Sequence, residues 1–142
     1  MDYVLRNGNV DDIDYVKNAK VNSILSYDQD ISEEDKIRIL NYIDSHISDD
    51  IEKYKMILIQ DKVIGCFLIR NENDTVLLDE VYLDSEYRGK GIGTKIIKDI
   101  IDNNHKVSLW VYKNNIKAIS LYQRLNFKID KEDEKRYYMI YG

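Results

Sequence analysis

The chain has 142 residues, of which 44% are hydrophobic and 33% charged, and its formal net charge is −5. This length supports one domain with its own core, spanning 1–142, and the composition excludes a disordered chain. The acidic balance argues against a general nucleic-acid binder, and no run approaches the roughly 18 apolar residues of a membrane helix.

The first residues, Met1-Asp2-Tyr3, offer no apolar leader. Tyr3 to Arg6 reads as a short strand. Asn9 then caps a helix whose first turn carries Asp11 and Asp12, where acids suit the helix dipole. Ser32-Glu33-Glu34-Asp35 resembles a capping box, with Asp in the place usual for Glu or Gln. Ile37, Leu40, Ile43 and Ile47 form the apolar stripe of a second helix. Tyr54 to Gln60 and Val63 to Arg70 are strands around an Asp61-Lys62 turn. The single cysteine, Cys66, lies in the second of these strands. It cannot form an intrachain disulfide, suits a reducing compartment and has a packing role. Asn71 to Asp74 is a second turn, and Thr75 to Leu83 is a third strand.

Arg88-Gly89-Lys90-Gly91-Ile92-Gly93-Thr94 follows that strand and holds three of the six glycines. Ile92, Ile96, Ile97, Ile100 and Ile101 then recur at helical spacing. A glycine turn feeding a helix leaves backbone N–H groups free at the positive end of the helix dipole, an arrangement that binds phosphate oxygens. Arg88, Lys90, Lys95 and Lys98 add a local basic cluster, which equally suits a solvated helix start. Val107 to Val111 is a buried-strand candidate, Asn114 or Asn115 caps a helix reaching about Leu125, and Phe127 to Asp130 and Arg136 to Tyr141 are strands around the charged turn Lys131 to Glu134. The order is strand, two helices, three strands, helix, strand, helix, two strands. It predicts an α+β fold with a mixed sheet of about six to seven strands and about four helices. His46 and His105 lack metal-ligand spacing, so surface or packing roles are expected and no metal is.

Two phosphate motifs fail. The dinucleotide pattern G-x-G-x-x-G needs glycine at position 94 or 96, which are Thr94 and Ile96. The P-loop pattern needs glycine at position 84 and Ser or Thr after Lys90, which are Asp84 and Gly91. What fits is R-x-x-G-x-G at Arg88, Gly91 and Gly93. This resembles the acetyl-CoA loop of the GNAT N-acetyltransferase superfamily, whose pattern is Q/R-x-x-G-x-G/A. Asn115 to Phe127 looks like the same family's N-x-x-A-x-x-L-Y-x-x-x-G-F segment. The element order agrees along nearly the whole chain, including Gly65 in the central hairpin. One departure is Asn126 in place of glycine, at a position expected to close a helix in a left-handed conformation, which Asn tolerates well.

The resemblance implies a GNAT-like fold and transfer of the acetyl group of acetyl-CoA to a primary amine by direct attack on the thioester, with no metal. Backbone N–H groups of Gly89, Lys90, Gly91, Ile92, Gly93 and Thr94 would hold the diphosphate. Arg88 would contribute charge or only shape the turn. Val81, Tyr82 and Leu83 would pair with the pantetheine arm through main-chain atoms. One of those N–H groups, Val81 foremost, would stabilise the oxyanion. Tyr122 matches the general acid that protonates the departing thiolate and a residue beside the cofactor, while its helical periodicity alone describes a core tyrosine. Asn115 matches a cofactor contact and equally a helix cap. Glu80 is the candidate base, and Asp79, on the opposite strand face, is its rival. The acidity of Asp28, Asp30, Glu33, Glu34 and the Lys131 to Glu134 turn suits a polyamine, an aminoglycoside or a lysine-bearing peptide, but reads first as a solvated surface. The acceptor therefore stays open, amino-acid and protein amines included, with specificity expected from residues 20–55 and C-terminal loops. A weakly catalytic acyl-CoA sensor of the same fold is the alternative, and an unrelated phosphate-ligand protein is a third reading. Expected surroundings are the cytoplasm, without membrane or nucleic-acid partners. Tyr137, Tyr138 and Tyr141 suit either a homodimer interface or the closed sheet of a monomer.

Overall fold

The computed structural model describes residues 2–28 and 30–142, apart from the side chain of Glu80. In chain order the elements are β1 (Val4–Asn7), α1 (Ile13–Tyr27), α2 (Glu33–Asp50), β2 (Tyr54–Ile59), β3 (Lys62–Glu72), β4 (Thr75–Leu83), α3 (Ile92–Asp102), β5 (Val107–Tyr112), α4 (Ile116–Arg124), β6 (Lys128–Glu132) and β7 (Arg136–Tyr141). Among the described residues the strands form one seven-stranded sheet in the order β1-β2-β3-β4-β5-β7-β6. Only β4 and β5 pair in parallel, joined through α3; the other neighbours are antiparallel. The mixed α+β fold anticipated from the element order is therefore present.

Two apolar layers flank the sheet. On one face, all five isoleucines of the α3 stripe pack against Ile57, Phe67, Leu78, Val107, Leu109, Val111, Phe127 and Met139. On the other, Val16 and Ala19 of α1 and Ile47 of α2 cover Tyr54, Met56, Cys66 and Leu68. Cys66 is thus buried in packing, as expected. Tyr137 and Tyr141 pack against the first layer, so the terminal strand pair completes the sheet within its own chain.

Local chemistry sets the element ends. The Asn9 side chain accepts from the Asp11 N–H, while the Asp12 carboxylate accepts from the Asn9 N–H, and a single 3₁₀ turn leads into α1. Ser32 caps α2 by accepting from the Asp35 N–H. The first strand runs one residue later than expected. The β2–β3 turn is Gln60-Asp61 rather than Asp61-Lys62, because both residues take positive φ (51° and 66°), the geometry that matches hairpin twist. Ile37 is 58% exposed and leaves the α2 stripe. Val21, Ile24 and Leu25 of α1 and Lys36, Ile39 and Leu40 of α2 line one small apolar pocket, and Ile37 lies outside it. His46 lies on the exposed side of α2 and stacks on Tyr42, and His105 is exposed.

Candidate active site

The sheet opens at one place. β4 and β5 pair only at Val76–Val107, Leu77–Ser108 and Leu78–Leu109. Beyond Leu78, β4 continues to Leu83 with β3 as its partner, and β5 continues to Tyr112 with β7 as its partner. The edges of β4 and β5 that face one another there carry main-chain donors and acceptors outside the sheet ladder. Such an edge takes up a chain of amide groups as an added strand takes up a neighbour.

A bulge tunes this edge. Leu68 opposes Asp79 and Phe67 opposes Val81, so β4 carries one more residue than β3 across this step. The insertion resets the in–out alternation. Leu78 and Val81, three residues apart, both pack on the α3 layer, as does Leu83, whereas Tyr82 packs toward α1. A strict period of two would have put Leu78 and Val81 on opposite faces. Gly65 lies beneath the end of the strand. A Cβ there would lie 2.3 Å from the Tyr82 carbonyl oxygen, so only glycine lets β3 approach this closely.

β4 leads directly into the glycine turn. Gly91 is the N-cap of α3 with φ 82°, and Gly89 has φ 74°. Both conformations belong to the left-handed region that favours glycine. No heavy atom lies within 4 Å of where a Cβ would stand at either residue, so the turn borders open space. Gly91 offers no side chain to cap α3, and the first N–H groups of a helix have no partner within it. The turn and the helix start therefore form a nest of amides with the positive end of the α3 dipole behind it.

Arg88 Nε donates to the Leu83 carbonyl at 2.8 Å, and its guanidinium lies 5.4 Å from the Tyr82 ring centre. Lys90 lies 5.7 Å from the Tyr87 ring, and Lys95 lies 5.7 Å from the Tyr3 ring and 3.6 Å from Asp2. Asn115 caps α4, accepting from the Ala118 N–H at 3.4 Å. Tyr122, on α4, is half-buried against the α3 layer with its ring 5.7 Å from Phe127. Asn126 closes α4 with φ 72°, the left-handed conformation expected of it. Asp79 pairs with Arg70 at 3.5 Å. Glu80 lies in β4, and its side chain falls outside the described residues.

Two features join segments that are distant in the sequence. Tyr15 of α1 donates to the Asp84 carboxylate at 2.7 Å across 69 residues. A cleft of about 400 Å³ at the C-terminal end of β5 is lined by Asp28, Tyr112, Asp133, Glu134, Lys135 and Arg136, with Lys135 Nζ 2.6 Å from Asp28. Among the described residues no cluster of His, Cys, Asp and Glu suits a metal ion, and no helix is long and apolar enough to cross a membrane.

A diverging strand pair, an amide nest and a helix start in this order are the hallmarks of an acyl-CoA transferase fold, and comparison with known proteins agrees. Residues 21–127 match the profile of the acetyltransferase (GNAT) family, and the chain belongs to that family. Spermine/spermidine N(1)-acetyltransferase of Bacillus subtilis is 38% identical over 68 residues, covering 44% of this chain and 45% of that protein. This match thus spans less than half the length of that relative. Spermidine N(1)-acetyltransferase of Escherichia coli is 28% identical over 131 residues, 86% of this chain and 70% of that one. The crystal structure of PaiA N-acetyltransferase from Thermoplasma acidophilum in complex with coenzyme A superposes with a TM-score of 0.71 at 20% identity, covering 99% and 98% of the two chains. At that identity the likeness establishes the fold.

Proposed function

We propose that this protein binds acetyl-CoA in the opening between β4 and β5 and transfers the acetyl group to a primary amine. The observation that carries the reading is the continuity of the unpaired β4 edge, Val81 to Leu83, with the amide nest at Gly89 to Thr94. The strand edge would hold the pantetheine amides, and the nest would hold the diphosphate.

In the reaction the amine nitrogen attacks the thioester carbonyl carbon. A C–N bond forms, the carbonyl electrons move onto oxygen, and the Val81 N–H donates to that oxyanion. Collapse of the intermediate breaks the C–S bond. The thiolate leaves and takes a proton, in this reading from the Tyr122 hydroxyl. The ammonium proton of the adduct passes, in this reading, to Glu80 directly or through water. Asn115 serves as helix cap and cofactor contact together.

For the acceptor we favour a polyamine. Two relatives are named for spermine or spermidine. The cleft beyond β5 brings Asp28, Asp133 and Glu134 together, and a cationic amine could exchange there with the Lys135 ammonium.

Calorimetry with CoA tests the cofactor half of the reading. Wild-type protein should bind, and Gly91→Glu should abolish binding by filling and repelling the diphosphate position while remaining folded. Undiminished affinity in that folded variant would sink the assignment. A panel of polyamines, aminoglycosides and lysine peptides, read by thiol release from acetyl-CoA, tests the acceptor half; a polyamine should give the highest kcat/KM.

A further inference from the structure

Asp84 follows β4 directly, and it is fixed by three hydrogen bonds. Its N–H donates to the Ile64 carbonyl at 2.8 Å, which extends the β3 contact one residue past β4. Its carbonyl accepts from the Tyr87 N–H at 2.9 Å, which starts the 3₁₀ turn Ser85–Tyr87. Its carboxylate accepts from the Tyr15 hydroxyl at 2.7 Å. The first two bonds belong to the strand and its own turn. The third comes from α1, on the opposite side of the sheet from α3.

Tyr15 also meets Tyr82 edge-on, with ring centres 6.2 Å apart and planes at 77°. The Arg88 guanidinium lies over the same Tyr82 ring, and Arg88 Nε returns to the Leu83 carbonyl. Tyr15, Tyr82, Leu83, Asp84 and Arg88 thus form one closed brace around the point where the strand becomes the turn. Burial and the adjacent Asp84 carboxylate push the Tyr15 phenol well above its ordinary value, so it remains a donor.

We propose that Tyr15 and Asp84 are positioning residues for the cofactor: their hydrogen bond sets the direction in which the glycine turn leaves β4, and so aims its amides at the diphosphate. The inference rests on the acetyl-CoA reading above. The intervening chain carries the effect from Asp84 to the turn. Gly91 lies seven residues beyond Asp84, and a rotation at Asp84 that moved its amide by about 1 Å would carry a diphosphate oxygen out of hydrogen-bond range. Hydrogen bonds near 2.9 Å do not survive such a shift. Neither residue touches the reacting atoms, so the effect belongs in cofactor affinity rather than in turnover.

The test measures CoA affinity by calorimetry and melting temperature for Tyr15→Phe, Asp84→Asn, Asp84→Ala and the double variant Tyr15→Phe/Asp84→Ala. Tyr15→Phe and Asp84→Ala should each weaken CoA by about tenfold, the scale of one hydrogen bond to a charged group. Asp84→Asn keeps an acceptor oxygen and should stay within about twofold of wild type. The double variant should be no worse than either single one, because both remove the same bond. KM for acetyl-CoA should follow the affinities, with kcat within about twofold. A purely structural tie would lower the melting temperature of Tyr15→Phe and leave its CoA affinity at the wild-type value; that result overturns the inference. So does an Asp84→Asn variant as damaged as Asp84→Ala, which would show that charge, not the bond, matters. Wild-type protein that fails to bind CoA would instead remove the cofactor reading, and this inference with it.

Discussion

Gly65 and Gly91 are glycines for different reasons. At Gly65 the limit is space, since the Tyr82 carbonyl occupies the room a side chain needs. At Gly91 space is open and the limit is the backbone, whose φ of 82° disfavours a Cβ. A large acid at position 91 therefore threatens the ligand through charge and bulk more than it threatens the fold. Asn126 meets the same backbone demand as Gly91 with the one side chain that tolerates it best. In the proposed reaction Tyr122 protonates the departing thiolate. Replacing it by Phe keeps the packing against Phe127 and removes only the hydroxyl. Turnover should fall by about 10- to 100-fold with CoA affinity preserved, as for loss of a general acid. Steady-state kinetics beside calorimetry would check this, and unchanged kcat would assign Tyr122 to the core alone.

The start of α1 is held by a small electrostatic unit. Arg6 on β1 reaches the buried Asp12 carboxylate at 2.6 Å and 3.0 Å, and Asp12 also accepts from the Asn9 N–H. The hydrogen bond from Arg6, against the opposing cost of burial and with help from Asn9, holds Asp12 below the ordinary carboxylate range. A depressed carboxylate favours the folded state once it is ionised. Its contribution is complete above the ordinary carboxylate value and is lost as pH falls through the lower value of the folded protein. Wild type should therefore exceed Asp12→Asn in stability by about 1–2 kcal/mol at pH 7, a figure reduced by the solvent that reaches Arg6. Urea unfolding between pH 7 and 2 should show that difference shrinking below about pH 4. A gap independent of pH would contradict the ion-pair account.

At the scale of the molecule, two apolar layers share one sheet, and the opening between β4 and β5 breaks the ladder without breaking either layer. Val81 and Leu83 keep their side chains against the α3 layer, so the strand stays anchored while its free edge faces the opening. A ligand seated there adds the missing main-chain partners and should stabilise the whole domain. At a CoA concentration about 100 times Kd the gain is about 2.7 kcal/mol. For a domain of this size that raises the melting temperature by roughly 10 °C. A thermal-shift titration should show this with CoA and not with ATP at the same concentration. Equal shifts would argue for a general phosphate site.

The sequence by itself determined the elements, because side-chain period and end caps are local properties. The α3 stripe, the Asn9 and Ser32 caps and the glycine turn were legible from neighbours within one or two turns of chain, the α4 cap was narrowed to Asn114 or Asn115, and the left-handed Asn126 followed from the family resemblance. Where local signals competed, reading was less secure. Ile37 has the right spacing but no element to cover it, and the β2–β3 turn moved one residue because twist, not composition, selects its two positive-φ positions. Only the tertiary structure decided how far β4 and β5 stay paired, where the extra residue in β4 resets its faces, and that Tyr15 reaches Asp84. These depend on contacts between segments tens of residues apart, set by the packing of two layers against a twisted sheet, and no local pattern encodes them.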